Sequence, residues 1–79
     1  MNTLADTAKK VSYSPPEIVI KMHSGLEIRF PAKENPRLAK GTQKELMNVE
    51  ISPFGLHWPD LDEDLSFEGL LRGDFGQRD

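Results

Sequence analysis

Cysteine is absent from this 79-residue chain. That excludes disulfides, thiolate metal sites and cysteine nucleophiles, and it fits a reducing compartment. Aromatic residues are few, with one tryptophan, one tyrosine and four phenylalanines. Positive charge is in deficit: ten Lys and Arg face thirteen Asp and Glu, for a formal net charge of −3. A mildly acidic protein lacks the broad electrostatic footprint of an autonomous nucleic-acid binder. No stretch is long and apolar enough to span a bilayer. Residues 1–10 carry no apolar run of the signal-peptide type, so neither export nor membrane association is expected and a cytoplasmic location is. A single domain of this size buries only about 60% of the surface its unfolded chain exposes. Without disulfides it relies on close packing, a partner chain or self-association.

What is present is a series of short, well-punctuated elements. Residues 1–10 are polar with scattered alanine and predict a flexible N-terminus. Val11 and Tyr13 alternate with Ser12 and Ser14, a short strand that Pro15-Pro16 ends in a turn. Residues 17–30 give the strongest sheet signal. A two-residue loop at Ser24-Gly25 would pair Ile20 with Arg29 and mix faces. A three-residue loop, His23-Ser24-Gly25, pairs Met22 with Leu26, Ile20 with Ile28 and Ile18 with Phe30, and sets Lys21 opposite Glu27. One face is then wholly apolar, and a one-residue slip would destroy it. Gly25 supplies the left-handed residue such a loop needs.

Asn35-Pro36 reads as an N-cap followed by proline at the first helical position, with Leu38 and Ala39 inward and Gly41 as the stop. Thr42 and Glu45, three apart, form a capping box that starts a second short helix over residues 43–47. Val49 and Ile51 alternate with polar neighbours in a third strand. Pro53-Phe54-Gly55 is a turn, and Leu56 and Trp58 share the inner face of a fourth strand, with His57 on the other. Ser66 caps a final helix in which Phe67, Leu70 and Leu71 make one apolar stripe, Leu65 staples to Leu70, and Gly73 is the stop. The expected fold is α+β. Two hairpins form a mainly antiparallel sheet of about four strands, with short helices between them and a C-terminal helix packed on it. The expected domain spans residues 11–73, and residues 74–79 are expected as a disordered tail.

Two blocks carry a resemblance. Asn35-Pro36-Arg37-Leu38-Ala39 with Thr42 and Glu45 is one. His57-Trp58-Pro59-Asp60-Leu61-Asp62-Glu63-Asp64 with Gly69-Leu70-Leu71-Arg72-Gly73 is the other and the more specific. Together they resemble the small bacterial proteins known as domain of unknown function 2442. The resemblance covers roughly residues 11–73. It implies an α+β domain and, through gene neighbourhood, an antitoxin-like partner of a second small protein. Some relatives carry an appended helix-turn-helix domain. These 79 residues leave no room for one, so autonomous operator binding is not expected. The resemblance brings no catalytic residues.

The candidate sites follow from charge and exposure. Asp60, Asp62 and Asp64 have the one-three-five spacing of a calcium loop, but the glycine and glutamate that such a loop requires are replaced by Leu65 and Leu71. His57 beside these acids is weak support for a transition metal. The simpler reading is a solvated acidic turn that favours the start of the last helix. His57 with Ser52 or Ser66 lacks any nucleophile signature, so no enzyme is expected, and no cofactor or metal. Asp74-Phe75-Gly76 spells a kinase motif by coincidence. Arg37, Lys40 and Lys44, with Lys33 nearby, would form a basic stripe if the two short helices were continuous, the basis of an alternative nucleic-acid reading. A basic middle and an acidic end give two poles suited to pairing with another protein or a second copy. The expected contact region is Phe54, His57, Trp58, Asp60, Asp62, Glu63 and Asp64. Phe54 serves as an exposed anchor there, and Trp58 is read chiefly as core.

Overall fold

The structure is a computed structural model that describes residues 6–77. Two three-stranded antiparallel sheets, each with its strands in chain order, enclose one core. The first contains β1 (Ala8–Ser14), β2 (Glu17–Met22) and β3 (Glu27–Pro31). The second contains β4 (Glu50–Ile51), β5 (Gly55–Trp58) and β6 (Glu63–Ser66). Helix α1 (Gln43–Met47) lies between the sheets in sequence and α2 (Phe67–Leu71) follows the second. The expected single sheet of about four strands is thus, among the described residues, six strands in two sheets.

The β2–β3 hairpin has the register that the apolar face demands. Ile18 pairs with Phe30, Ile20 with Ile28, and Lys21 with Glu27. Met22 N donates to Leu26 O across the three-residue loop, and Gly25 sits at φ +99°. The Pro15-Pro16 turn joins β1 to β2, so β2 becomes a central strand. Val19, on the face opposite Ile18 and Ile20, is therefore also buried between its neighbours Ser12 and Arg29.

Between the sheets the chain makes two 3-10 turns, Ala32–Glu34 and Leu38–Lys40, before α1. The first was not foreseen. The second replaces the expected helix, because Pro36 and Gly41 leave too few residues for a full α-turn ladder. Asn35 still caps it: its Oδ1 accepts from Leu38 N at 3.1 Å and Arg37 N at 3.0 Å. The Thr42–Glu45 capping box is complete in both directions. Ser66 caps α2 by accepting from Gly69 N at 2.9 Å. Gly73, at φ +84°, takes the left-handed position after that helix.

Both sheets contribute to the core. Ile18, Ile20, Met22 and Phe30 come from the first, Leu56, Trp58 and Leu65 from the second, and Leu38, Leu46, Phe67 and Leu70 from the helical segments. Each fully buried side chain of this size contributes about 1.5–3 kcal/mol relative to exposure. Trp58 is wholly buried, and its Nε1 donates to Leu46 O at 3.1 Å, tying β5 to α1.

The ordered body extends past the expected boundaries. β1 begins at Ala8, which is buried. Residues 1–5 of the expected flexible segment lie outside the described residues, as do residues 78–79 of the expected tail. Residues 74–77 lie on the body. The Phe75 ring stacks on Phe30 with centroids 4.7 Å apart, and Phe75 O accepts from Asn35 Nδ2 at 3.0 Å. A lone aromatic in a polar tail finds a partner only once β3 and Asn35 have been brought beside it.

Candidate partner-binding face

The second sheet arranges the acidic run and the tryptophan strand into two opposite faces. In register, Glu50 pairs with His57 and His57 with Asp64, while Ile51 pairs with Leu56 and Leu56 with Leu65. Side chains directly opposite share a face. One face therefore carries Leu56 and Leu65 into the core, with Ile51 at its exposed edge, and the other carries the row Glu50–His57–Asp64 outward. His57 Nδ1 lies 2.7 Å from Asp64 Oδ1.

The acidic run is not one solvated turn. Residues 59–62 form the turn, with Asp62 at φ +52°, a region Asp tolerates better than most residues. Residues from Glu63 onward form β6, which was not foreseen. Glu63 points inward beside Trp58 and is 3% exposed. Its Oε2 accepts from Asn35 Nδ2 at 2.6 Å, and Arg37 Nε lies 4.0 Å from its Oε1. Burying a carboxylate is costly unless it is paired and hydrogen-bonded, and this one is. Gly76 closes over the pair: a Cβ there would stand 2.4 Å from Asn35 Nδ2 and 2.9 Å from Glu63 Oε2.

The expected contact residues therefore separate. Trp58 and Glu63 belong to the interior and are withdrawn from the contact surface, since β5 and β6 turn them inward. Phe54, Asp60, Asp62 and Asp64 are exposed and His57 is half-buried. Asp60, Asp62 and Asp64 diverge to different partners: Asp60 Oδ2 accepts from Asn48 Nδ2 at 2.9 Å, Asp62 faces Arg37 Nη1 at 3.4 Å, and Asp64 faces His57. Among the described residues no group of three His, Asp or Glu converges as a metal site.

The basic stripe also separates. Arg37 Nη1 donates to Asp62 O at 2.9 Å and approaches the Asp62 carboxylate. The basic pole thus meets the acidic pole within the chain. Gly41 takes an extended ψ of 145°, which breaks the line between Lys40 and Lys44. A Cβ at Gly41 would lie 2.7 Å from Leu61 Cδ1, so glycine also permits the close approach of the acidic turn.

Phe54 is the most exposed of the large apolar side chains, at 83%. It stands at the tip of the β4–β5 turn, and that turn is held firmly. Ser52 Oγ accepts from Phe54 N at 3.2 Å and Gly55 N at 3.1 Å, and Phe54 O accepts from Phe67 N at 2.9 Å. Ser52 Oγ is thereby engaged in the turn, and Ser66 Oγ in the α2 cap. Beside Phe54 lies an open groove of about 220 Å³ lined by Ser52, Gly55, His57, Asp64 and Ser66. Ile51, on the two-residue edge strand β4 just before Ser52, is 45% exposed. This is a preordered apolar tip against an acidic sheet face.

A small α+β domain of two three-stranded antiparallel sheets around one core is the class the geometry defines. The chain belongs to the family described as protein of unknown function (DUF2442), which matches residues 8–76. A protein of unknown function from Rhodospirillum rubrum, solved by crystallography, is 32% identical with a TM-score of 0.79, covering 94% of each chain. An uncharacterised protein from Chromobacterium violaceum, solved by NMR in solution, is 31% identical with a TM-score of 0.77, covering 90% of this chain and 69% of its own. No curated protein matches the chain. Among the described residues no helix is long and apolar enough to cross a membrane.

Proposed function

We propose that this protein is a small protein-binding module whose contact surface is the Phe54 turn and the acidic outer face of the second sheet. The observation that carries the reading is an 83% exposed phenylalanine on a hydrogen-bonded, preordered turn. A rigid aromatic anchor loses little conformational freedom on binding, and aromatic anchors are enriched in interface hot spots. Asp60, Asp64 and Glu50 supply the charge that steers a complementary partner. Following the family resemblance, the module is the antitoxin-like member of a two-gene pair, acting in the cytoplasm without catalysis. The nucleic-acid alternative has less support, because the Arg37 guanidinium is already bonded to Asp62.

The test is affinity purification of the tagged chain from its own host, beside a Phe54→Ser variant. A stoichiometric small protein from the neighbouring gene, lost from the variant, is the expected result. A wild-type preparation holding only this chain, or a partner held equally by the variant, refutes the reading. Expression of the recovered partner alone then tests whether it is toxic.

A further inference from the structure

The groove beside Phe54 has a chemistry more specific than an apolar patch. Gly55, which has no side chain, is among its lining residues. Phe54, His57 and Asp64 line it together. Asp64 gives one oxygen to His57, yet its side chain is 78% exposed. Glu50 lies in register on the far side of His57, so the imidazole is flanked by a carboxylate on each neighbouring strand. No lysine or arginine lines the groove. An aromatic face and a carboxylate beside a space of about 220 Å³ complement a planar cation with an aliphatic stem. A guanidinium stacks on an aromatic ring and pairs with a carboxylate through parallel N–H bonds. Charge complementarity also disfavours a second copy presenting this same acidic face, because like charges would oppose each other.

We infer that the groove receives an arginine side chain of the partner polypeptide, stacked on Phe54 and paired with Asp64. This deepens the binding-module reading and rests on it. The test uses a blocked Ala-Arg-Ala tripeptide and its citrulline counterpart, which keeps the shape and removes the charge, titrated into the 15N-labelled protein. The expected result is that the arginine peptide moves the amide signals of Ser52, Gly55, His57, Asp64 and Ser66. It should bind roughly tenfold tighter than the citrulline peptide, the size of one cation–π contact plus one exposed ion pair. Asp64→Asn should cut that difference to about threefold, the share left to the cation–π contact, while its remaining spectrum reports an intact fold. Equal binding of the two peptides, or shifts spread evenly to Asp60 and Glu68, overturns the inference. Co-purification with Phe54→Ser judges the broader reading separately. A partner lost from that variant alongside equal peptide binding would leave a binding module with a different groove occupant.

Discussion

Replacing Asn35 by alanine tests the joint that holds the two ends of the domain together. Asn35 is wholly buried and makes four hydrogen bonds: two donated to Glu63 Oε2 and Phe75 O, and two accepted from Arg37 N and Leu38 N. Loss of the two accepted bonds is equivalent to losing a helix cap, about 1 kcal/mol. Loss of the donor to a buried carboxylate removes a charge-assisted bond of about 1.5–3 kcal/mol. The variant should therefore lose about 2.5–4 kcal/mol. A domain of this size has only about 4–12 kcal/mol in total. Urea unfolding read by tryptophan fluorescence suits the measurement, because the single tryptophan, Trp58, is fully buried. A loss below about 1 kcal/mol with an unchanged urea slope would refute the reasoning. Asn35→Asp separates the two halves. It keeps the acceptor for both backbone N–H groups and sets a second carboxylate against Glu63. At neutral pH it should be at least as damaging as alanine, since two close carboxylates repel. If aspartate is better tolerated than alanine, the capping bonds dominate and the Glu63 arm of the argument fails.

Gly76→Ala should cost about 2–3 kcal/mol, because a left-handed backbone and a collision with Asn35 coincide there. Gly73→Ala has the same backbone sign and open space, so thermal unfolding should show a loss nearer 1 kcal/mol. Phe54→Ser should leave stability within about 0.5 kcal/mol by urea unfolding, since an exposed side chain makes few contacts to lose. Arg37→Ala should cost about 1 kcal/mol or less, because its guanidinium is half exposed, its pair with Asp62 is screened and its Nε stands 4.0 Å from buried Glu63. A loss of several kcal/mol would mean that the contact to buried Glu63 outweighs the exposed ones.

The acidic run shows where reading from pattern stops. Asp60, Asp62, Glu63 and Asp64 look alike in sequence and share one polar character. In the structure one supports a turn, one takes a left-handed backbone, one is buried and one faces His57. Strand β6 was hidden because one of its two inward residues is a glutamate, which breaks the apolar alternation that marks a strand. Once β6 pairs with β5, the latter becomes a central strand. Its Trp58 then takes the core position expected of it and drops out of the contact region. The tail was misjudged for the same reason: Phe75 has no apolar neighbour in sequence, and its partner Phe30 is supplied by β3.

The sequence alone determined whatever depends on residues within a turn or two of one another. The β2–β3 register, the Thr42–Glu45 box, the Ser66 cap and the Gly73 stop all follow from local sterics and hydrogen-bond reach. Family membership was legible there too, in two short blocks. Only the tertiary structure decided that there are two sheets, that Glu63 is interior, and that Arg37 answers Asp62. The physical reason is distance along the chain. Asn35 meets Glu63 across 28 residues and Phe75 across 40. A buried polar group declares its partner only after the fold has removed water from both.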